Sequence, residues 1–305
     1  MQSADRARAH AIAAAIVIHK PDPEVLATLL GTIAGEGRRL FLFLNGPAGP
    51  EVAPLLQGVP NARGLETPRN VGLGAGLNRV MEAGAEEGYR DVVLFDQDST
   101  PGPGFFDALA ARRDARAGGA RVAVTGPLLV PAEGHPPIRY TWRNMAEGTV
   151  DFVPTSGSLV PVAAWRSVGP FREDYFIGAI DVEWCFRAWA RGWCCVVARD
   201  VTMLHRYGSA EPAGGAWKPQ ILRYSDARIY FHLRNSLNLL RLSHPPLRWK
   251  LSAAPRLAAQ AALLLASRTF APSVLRCLWL ALRDGWSGRL GPLPDRLATR
   301  QQTSA

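Results

Sequence analysis

Two acidic residues, Asp96 and Asp98, come directly after the apolar run of residues 92–95. Carboxylates one residue apart at the end of a buried strand can bind a divalent cation, a ribose hydroxyl or both. Mg²⁺ and Mn²⁺ suit such a pair because these ions prefer oxygen ligands and can bridge a diphosphate. The run Asp-Gln-Asp-Ser is also good turn chemistry. Its place after an apolar strand favours the binding interpretation.

Three alternating glycines, Gly72, Gly74 and Gly76, open a predicted helix just after a short strand. Backbone N–H groups at a helix start attract phosphate. Dinucleotide-binding oxidoreductases have a similar loop, and Asp96 would then serve as their ribose-binding acid. Against that alternative, the spacing is Gly-x-Gly-x-Gly, the loop follows the third strand rather than the first, and no later segment supplies hydride chemistry.

Asp181 and Glu183 begin a predicted amphipathic helix at residues 181–191. The helix dipole favours acids in a first turn, so capping alone would account for both. A carboxylate presented at a cleft can instead take a proton from an attacking hydroxyl, which makes Asp181 a candidate general base. Because two acids so close seldom both act as bases, we expect Glu183 to orient the acceptor or neighbouring groups.

A single histidine, His205, follows a predicted strand at residues 194–198 and opens a polar segment. A lone histidine is more often structural than a ligand, but at this place it can reach a metal held by Asp96 and Asp98. The four cysteines include no Cys-x-x-Cys pair, so the sequence does not predict a cysteine metal cluster.

Strands and helices alternate over the first 125 residues. Continuous apolar runs, such as residues 11–18 and 40–44, are typical of strands buried on both faces. The alternation predicts an α/β fold with a mainly parallel, Rossmann-like sheet that helices cover on both sides. Ligands of such sheets bind beyond the carboxyl ends of the strands. We therefore expect one rim to bring together Asn45, Arg69, Asn70, Gly72 and the segment 96–98.

The net charge of +9 is concentrated near the C-terminal end. Of the 35 Lys and Arg residues, 14 lie in residues 218–300, which hold only 3 acids. These basic residues alternate with Leu, Ala and Trp, which favours an anionic membrane surface over nucleic acid as a partner. A solvated helical bundle or a dimer interface would give the same pattern. Residues 257–266 are too short an apolar run to span a bilayer, so we expect a cytoplasmic protein at the inner face of the membrane.

In this order, the segments resemble glycosyltransferase family 2, the inverting enzymes with the A-type nucleotide-diphospho-sugar fold. The resemblance covers residues 11–238. It implies a reaction that proceeds without a covalent enzyme intermediate. It implies donor binding by Asn45, Arg69, Asn70, Gly72, Asn78, Asp96 and Gln97, metal binding by Asp96, Asp98 and His205, and catalytic roles for Asp181 and Glu183.

The phrases FDQDS, DVEWCFRA, HRYG and FHLRNS look most like bacterial rhamnosyltransferases. That similarity implies dTDP-L-rhamnose as donor, Mg²⁺ or Mn²⁺ as cofactor, and a glycan or lipid-linked acceptor in surface polysaccharide synthesis. It also implies three regions: a nucleotide-sugar half (1–125), an acceptor-binding and catalytic half (126–222), and basic amphipathic helices (223–305). Another nucleotide-sugar donor, or a non-catalytic membrane-associated scaffold, are the alternatives.

The sequence departs from the family pattern at His19-Lys20-Pro21, at Asn45-Gly46-Pro47 and at Gly178-Ala179-Ile180. His19-Lys20-Pro21 ends the first strand, where relatives usually have Thr, an aromatic residue and Asn before Pro. We therefore expect the base of the nucleotide to be held by different contacts.

Overall fold

The computed structural model describes residues 11–116, 119–132, 140–205, 224–267, 272–294 and 297. Its strands are β1 (Ile12–Ile18), β2 (Leu40–Asn45), β3 (Ala62–Thr67), β4 (Asp91–Phe95), β5 (Val122–Pro131), β6 (Trp142–Asn144), β7 (Thr149–Val150), β8 (Ser158–Pro161) and β9 (Cys194–His205). Its helices are α1 (Pro23–Gly35), α2 (Val52–Gln57), α3 (Leu73–Glu86), α4 (Phe105–Asp114), α5 (Val162–Val168), α6 (Ile180–Ala190), α7 (Asp226–Arg241), α8 (Leu247–Ser267) and α9 (Pro272–Ser287), with a short 3₁₀ helix at Glu173–Tyr175.

All nine strands form one sheet in the order β3-β2-β1-β4-β8-β5-β9-β7-β6. β1 pairs in parallel with β2 and β4, and β2 pairs in parallel with β3. The register sets Ile18 beside Leu44 and Ile16 beside Phe95, so these strands end at one rim of the sheet. The predicted α/β fold is confirmed in this half.

Two hydrophobic cores lie on the two faces of the sheet. Every residue of β1 is buried, and its alternate side chains belong to different cores. Ala15 and Val17 share one core with residues of α3, whereas Ile16 shares the other with residues of α1. Covering both faces accounts for the continuous apolar run, because neither side of the strand meets water.

The second half of the sheet is more complex than the sequence pattern predicts. β8, which that pattern does not predict, runs antiparallel between β4 and β5. β9 is parallel to β5 and continues beyond the predicted end at residue 198 as far as His205. An antiparallel bridge between Thr100 and Leu204 joins the end of β9 to the segment after β4.

The C-terminal helices form a third apolar cluster, in which Leu233 of α7 shares a core with Leu257 of α8 and Leu280 of α9. Four large side chains on α9 are exposed at helical spacing: Leu275, Trp279, Leu282 and Trp286. Among the helices that the structure describes, none combines the length and the apolar character that crossing a membrane requires. Residues 206–208 of the HRYG phrase lie outside the described part of the chain.

Candidate active site

At the carboxyl end of β4, Asp96 lies within electrostatic reach of Asp98 and of Asp181, an acid from a distant part of the sequence. The pKa of Asp96 is raised to about 7, mainly by burial and in addition by the nearby carboxylates of Asp98 and Asp181, while the positive charge of Arg228 opposes the rise. A carboxylate whose pKa is raised by another carboxylate lies within electrostatic reach of it. The end of β4 and the first turn of α6 therefore bring Asp96, a predicted metal ligand, within electrostatic reach of the predicted base Asp181.

Reciprocal hydrogen bonds join Gln97 to the end of β1. The backbone N–H of His19 donates to Gln97 Oε1 at 2.9 Å, and Gln97 Nε2 donates to the carbonyl oxygen of His19 at 3.2 Å. The His19 ring donates through Nδ1 to the carbonyl oxygen of Asn45 at 2.9 Å. The ends of β1, β2 and β4 are thus tied together at the rim by the residue that departs from the family pattern.

The buried Asn45 also shapes the glycine-containing loop. Its Oδ1 accepts from the backbone N–H of Val71 at 2.8 Å, and Asn70 Oδ1 accepts from that of Gly72 at 2.8 Å. Gly72 has a φ of +93°, and an added Cβ would lie 2.8 Å from the carbonyl oxygen of Phe176. Only glycine fits this close approach without strain. Arg69 is exposed at the start of the same loop.

Asn78 lies inside α3, and its side chain is buried. Its Oδ1 accepts from the backbone N–H of Phe171 at 2.8 Å, while Nδ2 donates to the Phe171 carbonyl oxygen and to Glu173 Oε1, both at 2.9 Å. These bonds fix the segment that leads to α6. The predicted contact of Asn78 with a donor stays a prediction.

Asp181 lies in the first turn of α6, after Gly178 and Ala179, both of which have positive φ. Burial raises the pKa of Asp181, and hydrogen bonds from backbone N–H groups, including those of Val182 and Thr155, partly offset that rise. A carboxylate with a raised pKa accepts a proton more readily than an ordinary aspartate at neutral pH. The environment therefore suits a general base.

Glu183 is only 2% exposed and already has two partners. Arg187 donates to both of its carboxylate oxygens at 3.1 and 2.8 Å, and His244 Nε2 lies 3.1 Å from Oε1. Burial raises the pKa of Glu183, but the hydrogen bonds from His244 and Arg187 outweigh it, so the pKa is lowered overall. Arg187 also donates to the carbonyl oxygens of Val168 and Pro170. Glu183 thus holds Arg187, which in turn ties α6 to the end of α5 and to the segment after it.

The negative charges of the acid pair, Asp96 and Asp98, are suited to binding a divalent cation. Burial and the negative charges of Asp98 and Asp181 together raise the pKa of Asp96. A bound cation would offset the repulsion between these negative charges. The bridge between Thr100 and Leu204 brings the buried His205 towards this segment. Within the described residues, no three His, Cys, Asp or Glu side chains lie together as a metal-binding group. Two carboxylates fit the ion, and the predicted third ligand does not join them here.

Two residues of α7 that the sequence analysis did not assign hold the segment before Asp181. Asn235 Nδ2 donates to the carbonyl oxygens of Tyr175, Ile177 and Gly178 at 3.0, 2.9 and 2.8 Å. Arg234, fully buried, donates to the carbonyl oxygen of Tyr175 at 2.9 Å. The only sequence signal for these residues is the phrase FHLRNS, which contains both.

Known proteins resemble this chain in sequence and in fold. No family model matches the sequence. The chain is 28% identical over 194 residues to dTDP-rhamnosyl transferase RfbF of Shigella flexneri. The aligned residues make up 59% of this chain and 63% of that protein. It is also 28% identical over 226 residues to an N-acetylglucosaminyl-diphospho-decaprenol L-rhamnosyltransferase of Mycobacterium tuberculosis. That alignment covers 62% of this chain and 74% of that protein.

Among solved structures, residues 1–349 of S. aureus TarS in complex with UDP-GlcNAc superpose with a TM-score of 0.55. The identity is 13%, and the match covers 94% of this chain and 83% of that one. The fold is therefore that of the A-type glycosyltransferases, and the sequence similarity is likewise to glycosyltransferases. The curated relatives are named rhamnosyltransferases, and the chain spans less than two thirds of the length of RfbF.

Proposed function

We propose that this chain transfers a sugar from a nucleotide-diphosphate donor to a hydroxyl of a glycan or lipid-linked acceptor, with inversion at the anomeric carbon. The observation that carries the proposal is that Asp96, at the end of β4, lies within electrostatic reach of both Asp98 and Asp181. A base beside a site for a charged leaving group is what a single displacement requires.

In the proposed reaction Asp181 takes the proton from the acceptor hydroxyl as its oxygen attacks the anomeric carbon. The bond from that carbon to the donor diphosphate breaks on the opposite face, and the nucleoside diphosphate leaves. A divalent cation, Mg²⁺ or Mn²⁺, held by Asp98 with Asp96, would neutralise the charge of the leaving group, while His205 stays a predicted third ligand. Glu183 serves as the positioning residue for α6, because Arg187 and His244 engage its carboxylate.

For the donor we propose dTDP-L-rhamnose, which the names of both curated relatives support. The proposed donor contacts are made at the rim by Asn45, Arg69, Asn70, Gly72, Asn78, Asp96 and Gln97. Residues 1–125 would then bind the donor and residues 126–222 would supply the acceptor side. The acceptor would be an intermediate of cell-surface polysaccharide synthesis.

We further propose peripheral contact with an anionic membrane through the region 223–305. Trp279 and Trp286 of α9 are 56% and 63% exposed, and Arg276 and Arg283 lie on the same helix. Apolar side chains between cationic ones are typical of interfacial helices. In a flotation assay we expect the protein to float with vesicles of anionic lipid and to remain at the bottom with neutral vesicles. The double variant Trp279→Ser and Trp286→Ser should remain at the bottom with both kinds of vesicle.

The test of the transferase is release of nucleoside diphosphate from a panel of nucleotide sugars with Mn²⁺, with Mg²⁺ and with EDTA. We expect slow, metal-dependent hydrolysis of dTDP-L-rhamnose that Asp98→Ala abolishes. Hydrolysis of a different donor would keep the transferase and change the sugar. If no donor is hydrolysed and calorimetry detects no donor binding, the proposal fails and a scaffold role takes its place.

A further inference from the structure

A pair of buried hydroxyl groups lies beside the proposed active site. The Oγ atoms of Ser99 and Ser156 are 2.7 Å apart, and the two residues are 2% and 1% exposed. That is the usual distance of an O–H···O hydrogen bond, and either hydroxyl can be the donor. In the described part of the chain, each of these hydroxyls bonds to the other and to no backbone group. The pair therefore joins two segments 57 residues apart, whereas a serine near a turn more commonly caps its own backbone.

Ser99 belongs to the turn that carries the acid pair, Asp96 and Asp98. Its backbone N–H donates to the carbonyl oxygen of Asp96 at 3.1 Å, which closes this turn directly after β4. Within the same turn, Gln97 is held by its two hydrogen bonds to the backbone of His19. The backbone of the acid segment thus has its own attachments, and they fix the place of the Ser99 hydroxyl.

Ser156 belongs to a second turn, which holds the proposed base. The residue before it, Thr155, donates a hydrogen bond from its backbone N–H to the carboxylate of Asp181. The backbone N–H of Ser158 donates to the carbonyl oxygen of Thr155 at 3.0 Å and closes this turn just before β8. A shift of the second turn would therefore carry with it a hydrogen-bond donor of the base.

The topology of the sheet places the two turns side by side. β8 runs antiparallel to β4 and pairs Ser158 with Leu94, so the start of β8 lies next to the end of β4. Gly157 in the second turn has a φ of +72°, and an added Cβ would lie 2.9 Å from the side chain of Met203 in β9. Strand pairing and close packing bring the turns together, and the hydroxyl pair bonds one turn to the other.

We propose that Ser99 and Ser156 are positioning residues that hold the proposed base Asp181 in place relative to the donor and the cation at the end of β4. The inference rests on the proposed function and adds two residues that act on the base through the backbone N–H of Thr155. Without the bond, the acid segment keeps the attachments of Gln97, whereas the turn that holds the base loses its link to that segment. The loss should therefore lower kcat and leave donor affinity nearly unchanged.

Kinetics of dTDP-L-rhamnose hydrolysis with Mn²⁺, and thermal melts of the same proteins, test the proposal. Ser99→Ala and Ser156→Ala should each lower kcat by about tenfold and change the donor KM by less than about twofold. Each single variant leaves one buried hydroxyl without its partner and should lower Tm. The double variant leaves neither hydroxyl unpaired, so its Tm should return towards that of the wild type. Its kcat should stay about tenfold low, because the link between the turns is still absent.

Thr125→Val is the matched control. It removes another fully buried hydroxyl of the sheet, one that has no hydrogen-bond partner among the described residues. The variant should keep the kcat and the KM of the wild type.

Three results would overturn the proposal while the wild type still hydrolyses the donor. Recovery of kcat together with Tm in the double variant would make the hydroxyl pair a purely structural contact. Wild-type kcat in both single variants would remove any role of the pair in turnover, and a raised KM at unchanged kcat would assign it to donor binding. If the wild type itself neither hydrolyses nor binds any donor of the panel, the proposed function fails and this inference fails with it.

Discussion

The backbone N–H of Leu73 donates a hydrogen bond of 2.6 Å to the carbonyl oxygen of Phe176. The bond joins the first residue of α3, in the proposed donor loop, to the segment that leads to the proposed base. Phe176 has φ +63° and ψ −61°, and Ile177 N–H donates to the Tyr175 carbonyl oxygen at 2.7 Å, which is a strained γ-turn. Such backbone persists where surrounding contacts enforce it, so donor loop and base are coupled through this turn.

Replacing Gly72 should show how tightly the loop fits. In Gly72→Ala the new Cβ would lie within 3 Å of Phe176 backbone atoms at a φ that L residues rarely adopt. We expect a loss of about 1–3 kcal/mol in the free energy of unfolding, measured by urea denaturation, and weaker donor binding in calorimetry. Gly88→Ala is the control, because Gly88 has φ +81° and no atom near the added Cβ. Equal losses in both variants would mean that backbone strain alone, and not the contact with Phe176, restricts the loop.

Asn235 should act on turnover although it lies outside the acid cluster. Asn235→Ala removes the side-chain donor to the carbonyl groups of Ile177 and Gly178 and one of the donors to that of Tyr175, and so frees the segment before Asp181. We expect kcat to fall by about 10²-fold with little change in the donor KM, because small displacements of a catalytic group are costly. Asn235→Asp should be worse, since it sets a carboxylate against carbonyl oxygens. The exposed Asn144→Ala is the control, and wild-type kcat in Asn235→Ala would refute the coupling.

The proposed base should appear in the dependence of rate on pH. Transfer needs ionised Asp181, and its pKa lies above the ordinary aspartate value of 3.8 because of burial. The rate should therefore rise with pH through an inflection above 3.8 and then level off. Asp181→Asn should lose at least about 10²-fold in kcat and lack this inflection. A variant that keeps wild-type turnover would assign the base elsewhere.

Glu183 should prove more important for stability than for chemistry. Glu183→Gln leaves Arg187 and His244 without a buried anion, which should cost roughly 3 kcal/mol in unfolding free energy. Glu82→Gln, which alters an exposed pair with Arg79 at 3.4 Å, should cost little. If Glu183→Gln is as stable as wild type but fails to transfer sugar, Glu183 orients the acceptor directly.

The acid cluster should make stability depend on pH when no metal is bound. The pKa of Asp96 is about 7 in the folded chain and 3.8 in the unfolded reference, so the folded state holds the proton more tightly. Ionisation therefore destabilises the fold progressively from about pH 4, and fully above pH 7. In EDTA at pH 8, Asp96→Asn should raise Tm by at least about 2 °C over wild type, and the difference should vanish at pH 3.

A bound divalent cation should reverse the order of Tm between the wild type and Asp96→Asn. Mn²⁺ at pH 8 should raise the Tm of the wild type, because binding to the folded state adds stability, and should have little effect on Asp96→Asn. Thermal melts monitored by circular dichroism measure both effects. A wild-type Tm that does not respond to Mn²⁺ or Mg²⁺, with donor nucleotide present, would remove the proposed ion from this site.

The sequence by itself determined the parallel half of the sheet. The runs that became β1 (Ile12–Ile18) and β2 (Leu40–Asn45) are apolar throughout, and α1 begins where Asp22 caps its N-terminus and Pro23 precedes the apolar stripe. Burial and capping are local properties that residue order records directly. The acids placed after β4 could be recognised as a site for the same reason.

Only the tertiary structure decided which distant groups meet. β8 inserts antiparallel beside β4, and β9 extends to His205, because pairing partners rather than local pattern set strand number and length. Asn78 faces the segment at Phe171, and Asn235 reaches Gly178 across 57 residues of chain, contacts that no local periodicity encodes. Backbone carbonyl groups in a buried turn must find donors wherever the fold supplies them, and here α7 supplies them.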